Sequence, residues 1–126
     1  MLRGSPEHTR EAALGSVAGL DPSRVLWVGE PDEQDRIPAL PPGRVTTMLG
    51  RSFDAVVLDG HPGIDADALG AAHGLVWGGG LFVLRRAAPG TVPPRASQAR
   101  LAAFPHDPDE VGARFEAWVE RALARA

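Results

Sequence analysis

The 126-residue chain contains no cysteine, which excludes disulfide frameworks, thiolate zinc sites, cysteine nucleophiles and thiol redox chemistry. Lysine is absent as well, so all 13 basic residues are arginine, and neither a Schiff-base lysine nor a phosphate-loop lysine exists. No apolar run approaches the roughly 20 residues that span a bilayer, and no basic-then-apolar leader opens the chain; this pattern predicts a soluble, cytoplasmic protein. An excess of positive charge is also missing. The formal net charge is −3 and the pI near 5.7, a balance that opposes broad binding to phosphate backbones, since such affinity comes from clustered cations that release counterions.

What is present suits one globular domain. The apolar fraction is 44%, and 13.3 kDa leaves no room for a second domain of ordinary size. The most informative stretch runs from Phe53 to Leu84, FDAVVLDGHPGIDADALGAAHGLVWGGGLFVL. Val56, Val57 and Leu58 form an unbroken apolar run, the pattern of a strand covered on both faces, and it ends at Asp59 and His61. Asp65 is placed as the N-cap of a following helix with Ile64 and Leu69 as its hydrophobic staple. Leu69, Ala72, Leu75 and Val76 give that helix an inward face, Gly78–Gly80 close it, and Leu81–Leu84 read as a further buried strand.

Upstream, Ser5-Pro6-Glu7 signals a helix start and Gly19 with Asp21-Pro22 its stop near residue 18. Arg24–Gly29 reads as a short strand turning at Gly29-Glu30-Pro31. Four prolines between 31 and 43 predict an irregular surface connection, with a short helix over Thr46–Gly50. The stretch 85–108, rich in proline, alanine and arginine, reads as a long surface loop. A last helix over 109–125 places Val111, Phe115, Trp118, Val119, Ala122 and Leu123 on one face, with Glu116, Glu120 and Arg121 on the other. Strands alternating with helices predict an α/β fold: a Rossmann-like three-layer αβα sandwich with a mostly parallel sheet of about four strands.

Several of these segments, taken in order, resemble the amino-terminal module of the bacterial tRNA(Met) cytidine acetyltransferase family. They are Leu26-Trp27-Val28-Gly29, Leu49-Gly50-Arg51-Ser52-Phe53-Asp54, Asp59-Gly60-His61-Pro62-Gly63-Ile64-Asp65, Gly74 with Gly79-Gly80-Leu81, and Arg114-Phe115. The family's module precedes a helicase-like ATPase module and an acetyltransferase module. Neither has a counterpart here, and the chain has no GxxxxGK[ST] phosphate loop, so the resemblance carries no acetyl transfer. It also implies a full first strand where this chain offers only Met1–Gly4, a clipped strand. Either translation starts upstream of Met1, or an uncovered sheet edge is open to a second copy or another protein.

The candidate ligand crevice is the carboxyl rim of the sheet, where open α/β folds bind ligands: Gly29, Glu30, Asp59, His61 and Asp65. Asp59 and His61 have the types of an acid–base pair, but no serine is placed as a nucleophile, and loop capping by Asp59 with His61 as a turn residue is the better reading. Asp65 with Asp67 fits a helix start better than a metal set, so no metal, catalytic residue or cofactor is assigned. Gly29-Glu30 lacks the GxGxxG pattern that cradles a dinucleotide. Arg51, Arg85 and Arg86 are candidate RNA contacts, with Trp27, Trp77 and Trp118 as stacking partners if exposed. Arg95, Arg100 and Arg114 stand among acids and read as solvated. The sequence therefore favours a non-catalytic, stand-alone module acting by protein and RNA contacts, with a small nucleotide-binding protein or enzyme as the alternative.

Overall fold

The computed structural model describes residues 1–30, 36–91, 102–111 and 113–125; the stretch 31–35, Arg95 and Arg100 lie outside them. Five strands form one sheet: β1 (Leu2–Arg3), β2 (Val25–Val28), β3 (Ala39–Leu40), β4 (Phe53–Asp59) and β5 (Val76–Arg86). Their order is β1-β5-β4-β2-β3, and every neighbouring pair is parallel. Helix α1 (Pro6–Val17) covers one face, and α2 (Ala66–Gly74) and α3 (Ala113–Ala124) cover the other. This is the expected Rossmann-like layering, with one more strand than the four anticipated.

The period of two along the strands separates two cores. Val25, Trp27, Ala55, Val57 and Val83 pack with Ala13 and Val17 of α1. Their neighbours Leu26, Val28, Val56, Leu58 and Leu84 pack with Ala68 and Ala72 of α2 and Val119 of α3. Both faces are apolar because both are covered, which is why β2 and β4 show no polar alternation. Each aliphatic side chain fully buried here stabilises the fold by about 1.5–3 kcal/mol.

The helix ends form as the local chemistry requires. Ser5 Oγ accepts from His8 N at 3.2 Å, with Pro6 at the first helical position. Asp65 Oδ1 accepts from Asp67 N and Ala68 N, both at 3.0 Å, and Ile64 and Leu69 both enter the core beside that cap.

Four expectations need correction. The connection 31–43 contains β3, because Pro38 O and Leu40 O accept from Trp27 N and Gly29 N at 2.8 and 2.9 Å and extend the sheet beyond β2. The helix expected over Thr46–Gly50 is a 3₁₀ segment, Pro42–Met48, which starts earlier because Pro42 sets its first turn. Gly78–Gly80 do not close α2 but belong to β5, where Phe53 pairs with Val76 while Ala55 pairs with Leu81. The extra residues bulge outward around Gly80, whose Cβ would lie 2.7 Å from Asp54 O, and leave Trp77 exposed. Finally, Arg85 and Arg86 do not begin a loop. They are the last residues of β5, 3% and 1% exposed.

Those two arginines point to opposite faces and hold the helical layers. Arg86 Nη2 lies 2.6 Å from Glu116 Oε2 and Nη1 lies 2.7 Å from Glu120 Oε1. The second contact is an ion pair off the hydrogen-bond axis, and Nε has no partner among the described residues. Arg3 Nη2 reaches Glu120 Oε2 at 2.7 Å and, with Arg86, holds the Glu120 carboxyl below its usual range. Glu116 also accepts from Ile64 N at 3.1 Å. These contacts rotate α3 from the face its apolar pattern suggests: Val119 is buried, whereas Trp118 is 57% exposed. Arg86→Met should lower unfolding stability by about 3 kcal/mol, since it leaves two partly buried carboxylates without their shared cation. Urea denaturation checks this, and a loss under about 1 kcal/mol would mean that apolar packing alone seats α3.

Candidate functional site

Parallel strands bring their carboxyl ends to one rim, and the rim carries Gly29 after β2, Asp59 and His61 at the end of β4, and Arg85 at the end of β5. Gly29 and Asp59 are in direct apposition: a Cβ on Gly29 would sit 2.8 Å from Asp59 Cβ and 3.2 Å from Trp27 Nε1. Glycine is needed for that close approach. Glu30 follows Gly29 directly and is exposed, and Asp65 is engaged as the α2 cap.

The polar groups on the rim satisfy one another. Asp59 Oδ1 accepts from His61 N at 3.0 Å, closing the turn, and Oδ2 pairs with Arg85 Nη1 at 3.2 Å. Arg85 Nε donates to Thr9 Oγ1 at 3.3 Å and Nη2 donates to Pro6 O at 2.6 Å, which ties β5 to the first turn of α1. His61 Nε2 is 2.7 Å from Thr9 Oγ1. The Thr9 hydroxyl has one proton and lies 3.0 Å from Ser5 O. Pro6 O at 3.2 Å and His61 Nε2 also stand within reach of that proton, while a lone pair of the hydroxyl takes Nε–H from Arg85. The guanidinium carbons of Arg10 and Arg85 stand 4.8 and 5.0 Å from the Trp27 ring centroid, within cation–π range.

Burial pulls the His61 pKa below its ordinary value; the Asp59 carboxylate opposes that shift and the Arg85 cation adds to it. Burial likewise lowers the Arg85 pKa, against the pull of Asp59. The imidazole is thus held neutral between a cation and a hydroxyl. Asp59 contacts the backbone N–H of His61, not its ring, so the geometry is that of a capped turn, not of a carboxylate orienting a proton-transfer base.

An open groove of about 480 Å³ does exist, displaced toward β1 and β5. Gly4, Ser5, Pro6, His61, Ala87, Ala88 and Thr91 line it, so His61 is the one ionisable side chain that the rim contributes. Sequence reasoning missed Thr9, which is fully buried, and missed that the arginine pair belongs to the strand. The signal was partial: Arg85-Arg86 follows directly on Leu81-Phe82-Val83-Leu84, and Glu116 and Glu120 lie one helical turn apart, but nothing in the sequence pairs the two. Of the candidate RNA contacts, Arg51 is exposed, with only Met48 Sδ at 3.9 Å. Arg85 and Arg86 are buried in ion pairs and present nothing to a phosphate. Trp27 is likewise buried, whereas Trp77 and Trp118 are exposed.

Residues 2–126 match the family model for the amino-terminal part of tRNA(Met) cytidine acetyltransferase TmcA. A protein of that name from Nitrosococcus halophilus is 32% identical over 136 residues, covering 100% of this chain and 17% of its own length. The Haloferax volcanii protein is 34% identical over 118 residues, covering 91% of this chain and 16% of its own. The chain therefore spans less than a fifth of these relatives.

The depressed His61 pKa carries a pH signature. Its native pKa lies below the unfolded value of about 6.5, so the unfolded chain binds more protons between the two. Stability from neutral His61 is fully present above about 6.5 and is lost as pH falls toward the native pKa. His61→Gln should therefore flatten the decline in unfolding free energy between about pH 7.5 and 5. Urea melts of both chains across that range check it, and parallel declines would exclude His61 as a contributor.

Proposed function

The chain belongs to the family of tRNA(Met) cytidine acetyltransferase amino-terminal domains, and we propose that it works as a non-catalytic docking module of that family, joined to a protein partner through an open sheet edge. One observation carries this proposal: β5 has eleven residues, but β1 pairs with only Arg85 and Arg86. Gly4 N donates to Arg86 O at 3.1 Å, so the backbone of Arg86 faces β1. By the period of two, the backbone groups of Phe82 and Leu84 face the same way. Among the described residues no strand lies alongside Leu81, Phe82 and Val83. An edge of this kind is a template for strand addition by another polypeptide or a second copy.

The rim chemistry supports the non-catalytic half of the proposal. Asp59, His61, Thr9 and Arg85 are engaged with one another, and Asp59 meets the backbone of His61, not its ring. The groove beside His61 is the feature that favours a small-molecule alternative, but it offers one ionisable side chain and no phosphate-binding loop. Contact with RNA now rests on Arg51 and on exposed Trp77, without the two buried arginines.

Hydrogen–deuterium exchange is expected to show the Phe82 amide exchanging much faster than the Val56 amide of the central strand β4, and slowing on addition of a partner or at high protein concentration. Light scattering across micromolar concentrations separates the two occupants, because a second copy gives a concentration-dependent mass and a foreign partner does not. A Phe82 amide as protected as Val56 in the dilute monomer would contradict the proposal. Titration with tRNA at two salt concentrations tests the RNA contact, which requires a salt-dependent signal.

A further inference from the structure

The two charge signs on α3 are segregated. Its acids, Glu116 and Glu120, turn toward the sheet and are neutralised by Arg86 and Arg3. Its cations, Arg114 and Arg121, and Arg125 in the turn that follows it are exposed. Spacings of four, three and four residues put Arg114, Trp118, Arg121 and Arg125 on one stripe. The three arginines make no ion pair among the described residues, so in a protein of net charge −3 this helix presents a basic face. Trp118 lies in that stripe, stacked on Phe115 with ring centroids 6.2 Å apart and planes at 21°.

Beside the stripe runs an apolar groove of about 400 Å³ between α3 and α2. Ala66, Leu69, Gly70 and His73 form its α2 wall, and Phe115 and Trp118 its α3 wall. His73 is held edge-on to Phe82 at 5.8 Å. The sheet edge is not involved in this surface.

We propose that this groove and its arginine rim dock an acidic amphipathic helix from a protein partner. An apolar trough between two helices accepts a third helix through aliphatic side chains at i, i+3 or i+4 and i+7. An exposed Trp stacked on a half-buried Phe and set beside Arg belongs to the residue types that dominate protein interfaces. The charge complement of the rim is anionic, which selects a partner with Glu or Asp flanking its apolar stripe. RNA fits less well: the trough is lined by aliphatic and aromatic carbon and provides almost no donors or acceptors to read a base edge, and the net charge of the chain opposes a polyanion.

The test uses the full chain and a peptide of about 18 residues with leucines at that helical spacing and glutamates elsewhere. The control peptide carries lysine at every glutamate position. Calorimetry should show the glutamate peptide binding about tenfold tighter or better, with amide shifts confined to α2 and α3. Trp118→Ala should weaken it by about tenfold. The triple reversal Arg114→Glu, Arg121→Glu, Arg125→Glu should remove the preference between the peptides while leaving the thermal melt unchanged. Since all three side chains are exposed, that variant keeps the test open if Trp118→Ala fails to fold. Equal affinities, no binding of the glutamate peptide, shifts elsewhere on the molecule, or tighter binding of a 15-nucleotide oligouridylate would each overturn the proposal, the last by assigning the stripe to nucleic acid.

Discussion

The structure depends on a pair of consecutive arginines at the end of β5. A parallel sheet with helices on both faces needs something to fix each helical layer at the rim, where apolar packing thins out. Because neighbouring residues of a strand point to opposite faces, Arg85 reaches α1 through Thr9 and Pro6, and Arg86 reaches α3 through Glu116 and Glu120. Burying a guanidinium is costly unless it is paired and hydrogen-bonded. These two are therefore confined to one arrangement, in which Asp59, Thr9, His61, Glu116 and Glu120 are all committed.

That commitment shapes what the module can do. Ligands of open α/β sheets enter at the carboxyl rim, and here Asp59, Arg85 and the close approach of Gly29 occupy it. Drawing the acids of α3 inward also turns its cations and Trp118 outward. The same pair thus engages the polar groups of the rim and leaves the cations of α3 outward. The chain corresponds to the amino-terminal part of relatives more than five times its length, and the proposed role is to dock.

Much of the fold was legible in the residues. Val56-Val57-Leu58 announced a doubly covered strand, Ser5-Pro6 and Asp65 marked helix starts, and the apposition of Gly29 with Asp59 along one rim followed from parallel order. Three features were not legible, each for a physical reason. β3 has two residues in a proline-rich stretch, too few for a periodic signal. The glycines after α2 looked like a helix stop because a bulge and a C-cap favour the same residue. Arg85 and Arg86 read as loop residues open to RNA because charged side chains are seldom buried unless paired, and their partners lie 26 or more residues away in sequence. Of the five crevice residues, Gly29, Asp59 and His61 share the rim, Glu30 follows Gly29 and is exposed, and Asp65 serves α2.

The most direct measurement of this account is hydrogen exchange of the arginine side-chain Nε–H groups by NMR. Arg85 and Arg86 should show protected signals at neutral pH, while Arg114, Arg121 and Arg125 exchange at the rate of free arginine. If Arg85 and Arg86 exchange as fast as those three, the pair does not hold the layers together, and the engaged rim and outward basic face lose their common cause.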